Sequence, residues 1–288
     1  MTWDIWVALS YTLIYASTAA VLGGVLVSYL WHKSAPADYR SDDAKVHQRY
    51  VRIGACLGVT SAISSYFLFI GSINQAGIRG MFDADLFLFL LLDPPGIAAM
   101  THIAAFLVIG FGMGREQHIW RLVLVLGYAG LLWGFTVRGH LASSPLWIQL
   151  ALMLHVLALG AWTGALLPLW FAARRTALTS WKSVFETFGQ WAQAIVGILI
   201  LAGIFMTWAL LSAPSDFVAT DYGIALLLKL CFVAILLGCA GLNKWVIVPR
   251  LKDDSVSPYL AWVIYIEMLC VAVIFALTAT FTVVVGHN

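Results

Sequence analysis

Eight apolar stretches, each long enough to cross a bilayer as a helix, constrain this chain more than any other feature. A membrane-spanning helix needs about 20 mostly apolar residues. The stretches cover residues 5–31, 53–73, 96–113, 119–137, 146–173, 187–212, 222–248 and 259–286. Of the 288 residues, 62% are hydrophobic and 10% are charged, whereas a soluble domain carries about 25% charged residues. The sequence therefore predicts an all-α polytopic membrane helix bundle with eight transmembrane helices in a single membrane domain.

The connections between these stretches add detail to this prediction. Residues 81–92 are apolar but too short to cross, so we expect a short interfacial helix there. Pro168 lies inside the fifth stretch and is expected to kink that helix. The first stretch has no basic start, which favours a retained helix over a cleaved signal peptide. Helices one to four occupy 1–140 and helices five to eight occupy 145–288.

Basic residues are concentrated on one side of the predicted bundle. The connections after the first, third, fifth and seventh stretches, with the adjoining helix ends, hold 13 of the 16 Lys and Arg residues. Cytoplasmic loops carry an excess of Lys and Arg, so both termini are predicted to face the periplasm. The outer side carries six aspartates, including Asp83 and Asp85. This acidic rim would attract cations, although exclusion of basic residues from the outer side accounts for it equally well.

Polar side chains at depth are costly in a membrane and usually functional. His102, His155 and Lys229 lie in the third, fifth and seventh stretches. A rise of about 1.5 Å per residue puts all three on the order of 10–13 Å below the outer surface. Met206 in the sixth stretch reaches the same layer. Glu267 in the eighth stretch is closer to the cytoplasmic end, where Asn243, Lys244 and Arg175 are its candidate partners.

Imidazole nitrogen and thioether sulfur are ligands that copper accepts. The sequence thus predicts an intramembrane metal site with His102 and His155, and with Met206, Met100 and Met153 as candidate sulfur ligands. Two alternatives stay open, because methionines also fill gaps between helices and a histidine can stabilise helix contacts by hydrogen bonding. Candidate supporting residues are Lys229, Trp162 and Glu267. The candidate outer entry residues are His140, His287, Asp83 and Asp85.

Several function classes lack sequence support. The chain contains no Walker motif, no HExxH, no CxxC and no Gly-x-Ser-x-Gly, so neither ATP hydrolysis nor another recognisable enzymatic chemistry is indicated. No basic patch with interleaved aromatic residues suggests nucleic-acid binding. The four cysteines all lie within apolar stretches, which argues against a disulfide framework. The lipid bilayer is the one partner that composition alone implies.

The last third of the chain resembles the copper resistance protein D (CopD/PcoD) family. The resemblance rests on the run Phe188-Gly-Gln-Trp191, the run from Thr220 to Leu230, the run from Gly241 to Leu251, and Glu267 in the last helix. The run Leu154–Gly164 and the eight predicted spans fit the same family.

This resemblance implies a protein of the bacterial inner membrane that moves copper from periplasm to cytoplasm. It also implies a possible periplasmic copper-binding partner of the CopC type. The chain has no Met-rich or His-rich outer loop. The residues that match the family pattern are His155, Tyr222, Lys229, Asn243 and Glu267.

Two other readings of the buried histidines remain open at this point. His102 and His155 could be the axial ligands of a b-type haem in a membrane electron carrier. A purely structural membrane scaffold would explain the hydrophobicity but not the buried polar groups.

Overall fold

The structure is a computed structural model, and it describes residues 3–35, 40–138, 142–175, 181–211, 213, 215–251 and 257–283. Within these residues the secondary structure is helical throughout, without a strand. The α-helices are α1 (Trp3–Ser34), α2 (Arg40–Asn74), α3 (Ala84–Leu91), α4 (Pro94–Gly112), α5 (His118–Gly134), α6 (Leu146–Ala173), α7 (Lys182–Leu210), α8 (Asp216–Ala219), α9 (Asp221–Leu242) and α10 (Ser257–Val283).

Seven of these helical segments are long and apolar enough to cross a membrane, and α5 is a shorter apolar helix of 17 residues. At 1.5 Å per residue, α5 is about 25 Å long, slightly less than the apolar thickness of a bilayer. The prediction of an all-α polytopic bundle is confirmed. The helix α2 begins at Arg40, well before the predicted stretch that starts at residue 53. The prediction missed these first turns because they are charged and a search for apolar stretches does not detect them.

The short segment before α4 is helical, as predicted. A 3-10 turn over Gly77–Phe82 leads into α3, which has only eight residues. Asp83 caps α3, because its Oδ1 accepts a hydrogen bond from the Leu86 amide at 2.9 Å and its Oδ2 accepts one from Asn74 Nδ2 at 2.7 Å. This predicted outer-entry carboxylate therefore has a structural role at the helix start.

Helix α1 lies at the centre of the bundle and packs against α2, α6 and α10. Its closest approach is to α6, where a Cβ added at Gly23 would overlap the backbone of Gly164, and one added at Gly164 would overlap the carbonyl of Ala19. Tyr50 of α2 donates a hydrogen bond to the Gly164 carbonyl at 2.9 Å. Small residues that allow close backbone approach are typical of membrane helix contacts. The helix α6 continues through Pro168 to Ala173.

The helices α7 and α9 lie at the periphery. In the apolar 18-residue part of α1, 56% of the residues are buried. The corresponding shares are 11% for α7 and 17% for the segment that contains α9. The helix α7 packs mainly on α6, and α9 packs mainly on α10. A π-helical turn, Asn243–Ile247, follows α9 directly. Polar side chains of the second half, among them the buried Glu267 and the half-buried Asn243, line the gap between α7 and α9.

Candidate membrane-embedded site

His102 of α4 is directed at α5. Its side chain is buried, and a Cβ added at Gly134 would lie 2.7 Å from its Nε2 atom. The imidazole lies 4.6 Å from the ring of Phe135 between centroids, and it hydrogen-bonds the backbone of Leu131. Nε2 is buried without a hydrogen-bond partner among the described residues. One ring nitrogen of His102 thus remains available at the interface of α4 and α5.

His155 of α6 is directed at a different interface. Its imidazole is half-buried, interacts with the backbone of Leu199, and has its Cε1 atom 3.9 Å from a Cβ position at Gly203, both on α7. Lys229 of α9 is close enough to interact with it electrostatically. The Nδ1 atom of His155 is buried and has no hydrogen-bond partner in the part of the chain that the structure describes. Met206 lies one helical turn beyond Gly203 and therefore on the same face of α7.

The contacts of the described residues do not bring the five predicted ligands together. Met153 packs against the cluster that contains Phe106 and Leu131, on the side of α6 nearer His102. Met100 is 39% exposed, and Met206 is half-buried on α7. Among the described residues, no group of three or more His, Cys, Asp or Glu side chains could hold a metal ion.

A haem with His102 and His155 as axial ligands would require both imidazoles to face one gap between helices. The contacts of His102 lie with α5, whereas those of His155 lie with α7 and α9. The contacts of the described residues therefore give no support to a haem between these two histidines.

Glu267 of α10 forms the second polar centre. The residue is 3% exposed, and its carboxylate accepts a hydrogen bond from Asn243 Nδ2 at 2.9 Å through Oε1. Asn243 is one of the three partners that the sequence suggested. Lys244 instead donates to the carbonyl of Gly189 at 2.7 Å, and the guanidinium of Arg175 lies 4.4 Å from the centre of the Trp181 ring.

Asn243 begins the π-helical turn that follows α9. Turns of this kind are rare in proteins overall. Those that do occur are often at functional sites, because they change the direction in which side chains project. The Oδ1 atom of Asn243 is buried and lacks a hydrogen-bond donor among the described residues. The sequence had marked Asn243, but only the structure reveals this unpaired acceptor.

A cavity of about 640 Å³ lies next to this polar centre. The helices α7 and α9 form its sides, while α6 and α10 line its inner wall. Its polar lining residues are Gln193, Asn243, Lys244 and Glu267. Trp162, one of the candidate supporting residues, is buried and also lines this cavity. The sequence analysis did not predict this cavity. Gly197 on α7 and Gly238 on α9 line its two sides, and the lack of a side chain at these positions was the sequence feature that could have indicated it.

The remaining predicted residues are His140, His287, Tyr222 and Asp85. His140 and His287 lie outside the described residues, as does the side chain of Tyr222. Asp85 is exposed in the first turn of α3.

These features define a polytopic helical membrane protein with polar groups buried between its helices. The family model described as "CopD: Copper resistance protein D" matches residues 182–281, which extend from α7 into α10. The predicted resemblance to the copper resistance protein D family is thereby confirmed over these residues. The match to the family model covers about a third of the chain, and this third contains Lys229, Asn243 and Glu267.

A curated relative extends the comparison to nearly the whole chain. The "Inner membrane protein YebZ" of Escherichia coli strain K12 is 24% identical over 297 aligned positions, which cover 93% of this chain and 94% of the relative. No solved structure matches. The protein is thus a multi-pass protein of the bacterial inner membrane, and neither comparison supports a haem function.

Proposed function

We propose that this protein is a transporter that moves copper across the inner membrane, from the periplasmic to the cytoplasmic side. The observation that carries the proposal is that the region matching the copper resistance family supplies the buried Glu267 and the half-buried Lys229 and Asn243, all within its helical segments. Groups of this kind inside a membrane protein mark ion pathways. The inward direction is what the resemblance to the copper resistance family implies.

The gap between α7 and α9 is the proposed copper route. His155 and Lys229 lie at one level of this gap, and Asn243 and Glu267 lie at another. Along the axis of α9, Lys229 and Asn243 are separated by about 21 Å. The two levels together therefore extend over most of the apolar thickness of a bilayer.

We assign the outer copper position to His155, with Met206 as its sulfur ligand. The unpaired Nδ1 atom of His155 supplies a nitrogen lone pair, and a thioether selects Cu(I). His102 would form a separate position with Met153, because His102 contacts Phe106 and Leu131 and Met153 packs against the hydrophobic cluster that contains them. Met100 is a weaker candidate ligand than Met153. It lies two residues before His102, so its side chain is rotated by about 200° around the helix axis from that of His102.

Copper would reach these positions from the acidic outer side of the bundle. We propose that a periplasmic copper-binding protein of the CopC type delivers the ion there, with Asp85, His140 and His287 as the first contacts. Asp83 contributes charge only, because both of its oxygens accept hydrogen bonds at the start of α3.

The test is copper binding and uptake with matched histidine variants. Purified protein is titrated with Cu(I) against a competing chelator, and uptake is followed in proteoliposomes that contain a copper-sensitive dye. We expect His155→Ala to lose at least about tenfold in affinity, as is typical when a metal site loses a supporting contact. His118→Ala removes an exposed imidazole at the start of α5 and serves as the control. Unchanged binding in both His155→Ala and His102→Ala would overturn the assigned site.

A further inference from the structure

The cavity between α7 and α9 has the size and lining of a small-molecule site. Ligand sites in proteins usually enclose about 300–1,000 Å³ and are mostly apolar with a few placed polar groups. This cavity measures about 640 Å³, and most of its lining is apolar or aromatic. Its polar groups are grouped at the π-helical turn and at Glu267.

The cavity opens sideways, toward the bilayer. Ile200 on α7 and Trp245 beyond α9 both line it, and their side chains are 49% and 69% exposed. Because α7 and α9 are peripheral apolar helices, molecules dissolved in the membrane would reach the cavity from the lipid phase. An occupant of this cavity is therefore a membrane-soluble compound.

The unused hydrogen-bonding groups around Asn243, Lys244 and Glu267 indicate which polar group the bound compound carries. The Oδ1 atom of Asn243 accepts no hydrogen bond within the described residues, and Glu267 accepts one, from Asn243 itself. Lys244 uses one of its three protons on the Gly189 carbonyl. Within the part of the chain that the structure describes, Asn243 Oδ1 thus lacks a hydrogen-bond donor, and the Lys244 ammonium has protons left to donate.

The walls beside this polar end are aromatic. Trp162 is buried at the inner wall, and Phe185, Phe188 and Trp245 line the sides. Aromatic side chains favour a planar ring between them through stacked and edge-to-face contacts.

From this geometry we propose that the cavity binds a membrane-soluble hydroquinone, with a hydroxyl group donating to Asn243 Oδ1 and the apolar tail leaving between α7 and α9. A hydroquinone hydroxyl also accepts a hydrogen bond, which matches the ammonium of Lys244. The cavity overlaps the proposed copper route at Asn243 and Glu267, but its lining contains neither His155 nor His102. Its test contains no copper, so its failure is distinct from failure of the proposed transport.

Two glycines offer variants that fill the cavity without distorting the helices. Gly197 on α7 and Gly238 on α9 line the cavity, and a Cβ added at either position meets open space within 4 Å. Gly130 on α5 has the same open surroundings but lies outside the cavity lining. Gly197→Leu and Gly238→Leu should therefore block the site, and Gly130→Leu is the matched control.

The experiment is a calorimetric titration of the full-length protein in nanodiscs of defined phospholipid without quinones. A short-tailed hydroquinone is added under anaerobic conditions, and its dimethyl ether serves as a ligand that lacks both hydroxyl donors. We expect saturable binding to the wild type and to Gly130→Leu, and at least tenfold weaker binding to Gly197→Leu and Gly238→Leu. The dimethyl ether should bind at least tenfold more weakly than the hydroquinone.

Three results would overturn the proposal. Equal binding to the cavity-filled variants would place the ligand elsewhere on the protein. Equal binding of the dimethyl ether would show that donors to Asn243 and Glu267 do not matter. Absence of saturable binding to the wild type would mean that the cavity takes phospholipid chains only.

Discussion

The pair α1 and α6 and the pair α7 and α9 use glycine in opposite ways. At the crossing of α1 and α6, Gly23 and Gly164 let two backbones approach so closely that neither position can carry a Cβ. Across the gap between α7 and α9, Gly197 and Gly238 face open space. The first pair of helices has little room for change, whereas the second encloses a cavity and buried polar groups. Close packing in the centre thus coexists with a peripheral gap that is open to ligands.

The largest expected effect is at the tight crossing. Gly164→Val would force its side chain into the backbone of Ala19, which cannot move without shifting α1. We expect a loss of about 3 kcal/mol in the free energy of unfolding, measured by thermal unfolding in detergent. Gly197→Leu, with a larger side chain in open space, is the control. Similar stability of these two variants would contradict the contrast between the helix pairs.

The second effect concerns the polar centre in the gap. Glu267→Ala would leave the Nδ2 group of Asn243 without its acceptor, in addition to the Oδ1 atom that already lacks a donor. We expect a cost of about 2 kcal/mol for the unsatisfied donor, again from thermal unfolding. Glu267→Gln retains a carbonyl acceptor and should cost less. If both variants were as stable as the wild type, the hydrogen bond would not contribute to the fold.

Copper affinity should respond to the cation beside His155. A positive charge on Lys229 repels a metal ion bound at that imidazole, so Lys229→Met should tighten copper binding by about tenfold, or ~1.4 kcal/mol. The measurement is a Cu(I) titration against a chelator. Lys45→Met, on the exposed surface of α2, is the control. An unchanged affinity in Lys229→Met would mean that Lys229 carries no charge next to the copper position.

The smallest effect is expected outside the gap, at the start of α7. Lys182 and Glu186 form an ion pair at 3.6 Å with i, i+4 spacing, and the Glu186 side chain is 51% exposed. Exposed pairs of this kind contribute less than about 0.5 kcal/mol. Glu186→Gln should therefore leave thermal unfolding and copper binding nearly unchanged. A large loss of either property would show that the start of α7 is coupled to the gap.

The sequence predicted the helices well and the site only in part. Apolar length is a local property, so the spans could be counted. Similar depth suggested three partners for Glu267, and one of them, Asn243, forms the hydrogen bond. The shared depth of His102 and His155 stays a prediction, and depth alone does not determine the direction in which a side chain points. These spans are apolar on all sides, so no polar face indicates how each helix is rotated in the bundle.

Sequence alone determined that this is a helical membrane protein, roughly where its chain crosses, and that its last third resembles the copper resistance family. Only the tertiary structure decided that His102 faces α5 while His155 faces α7 and Lys229, and that a cavity adjoins Glu267. The physical reason is that rotation about a helix axis is fixed by packing between neighbours. A close contact such as that between Gly23 and Gly164 sets this rotation, and the hydropathy of the sequence does not indicate such a contact.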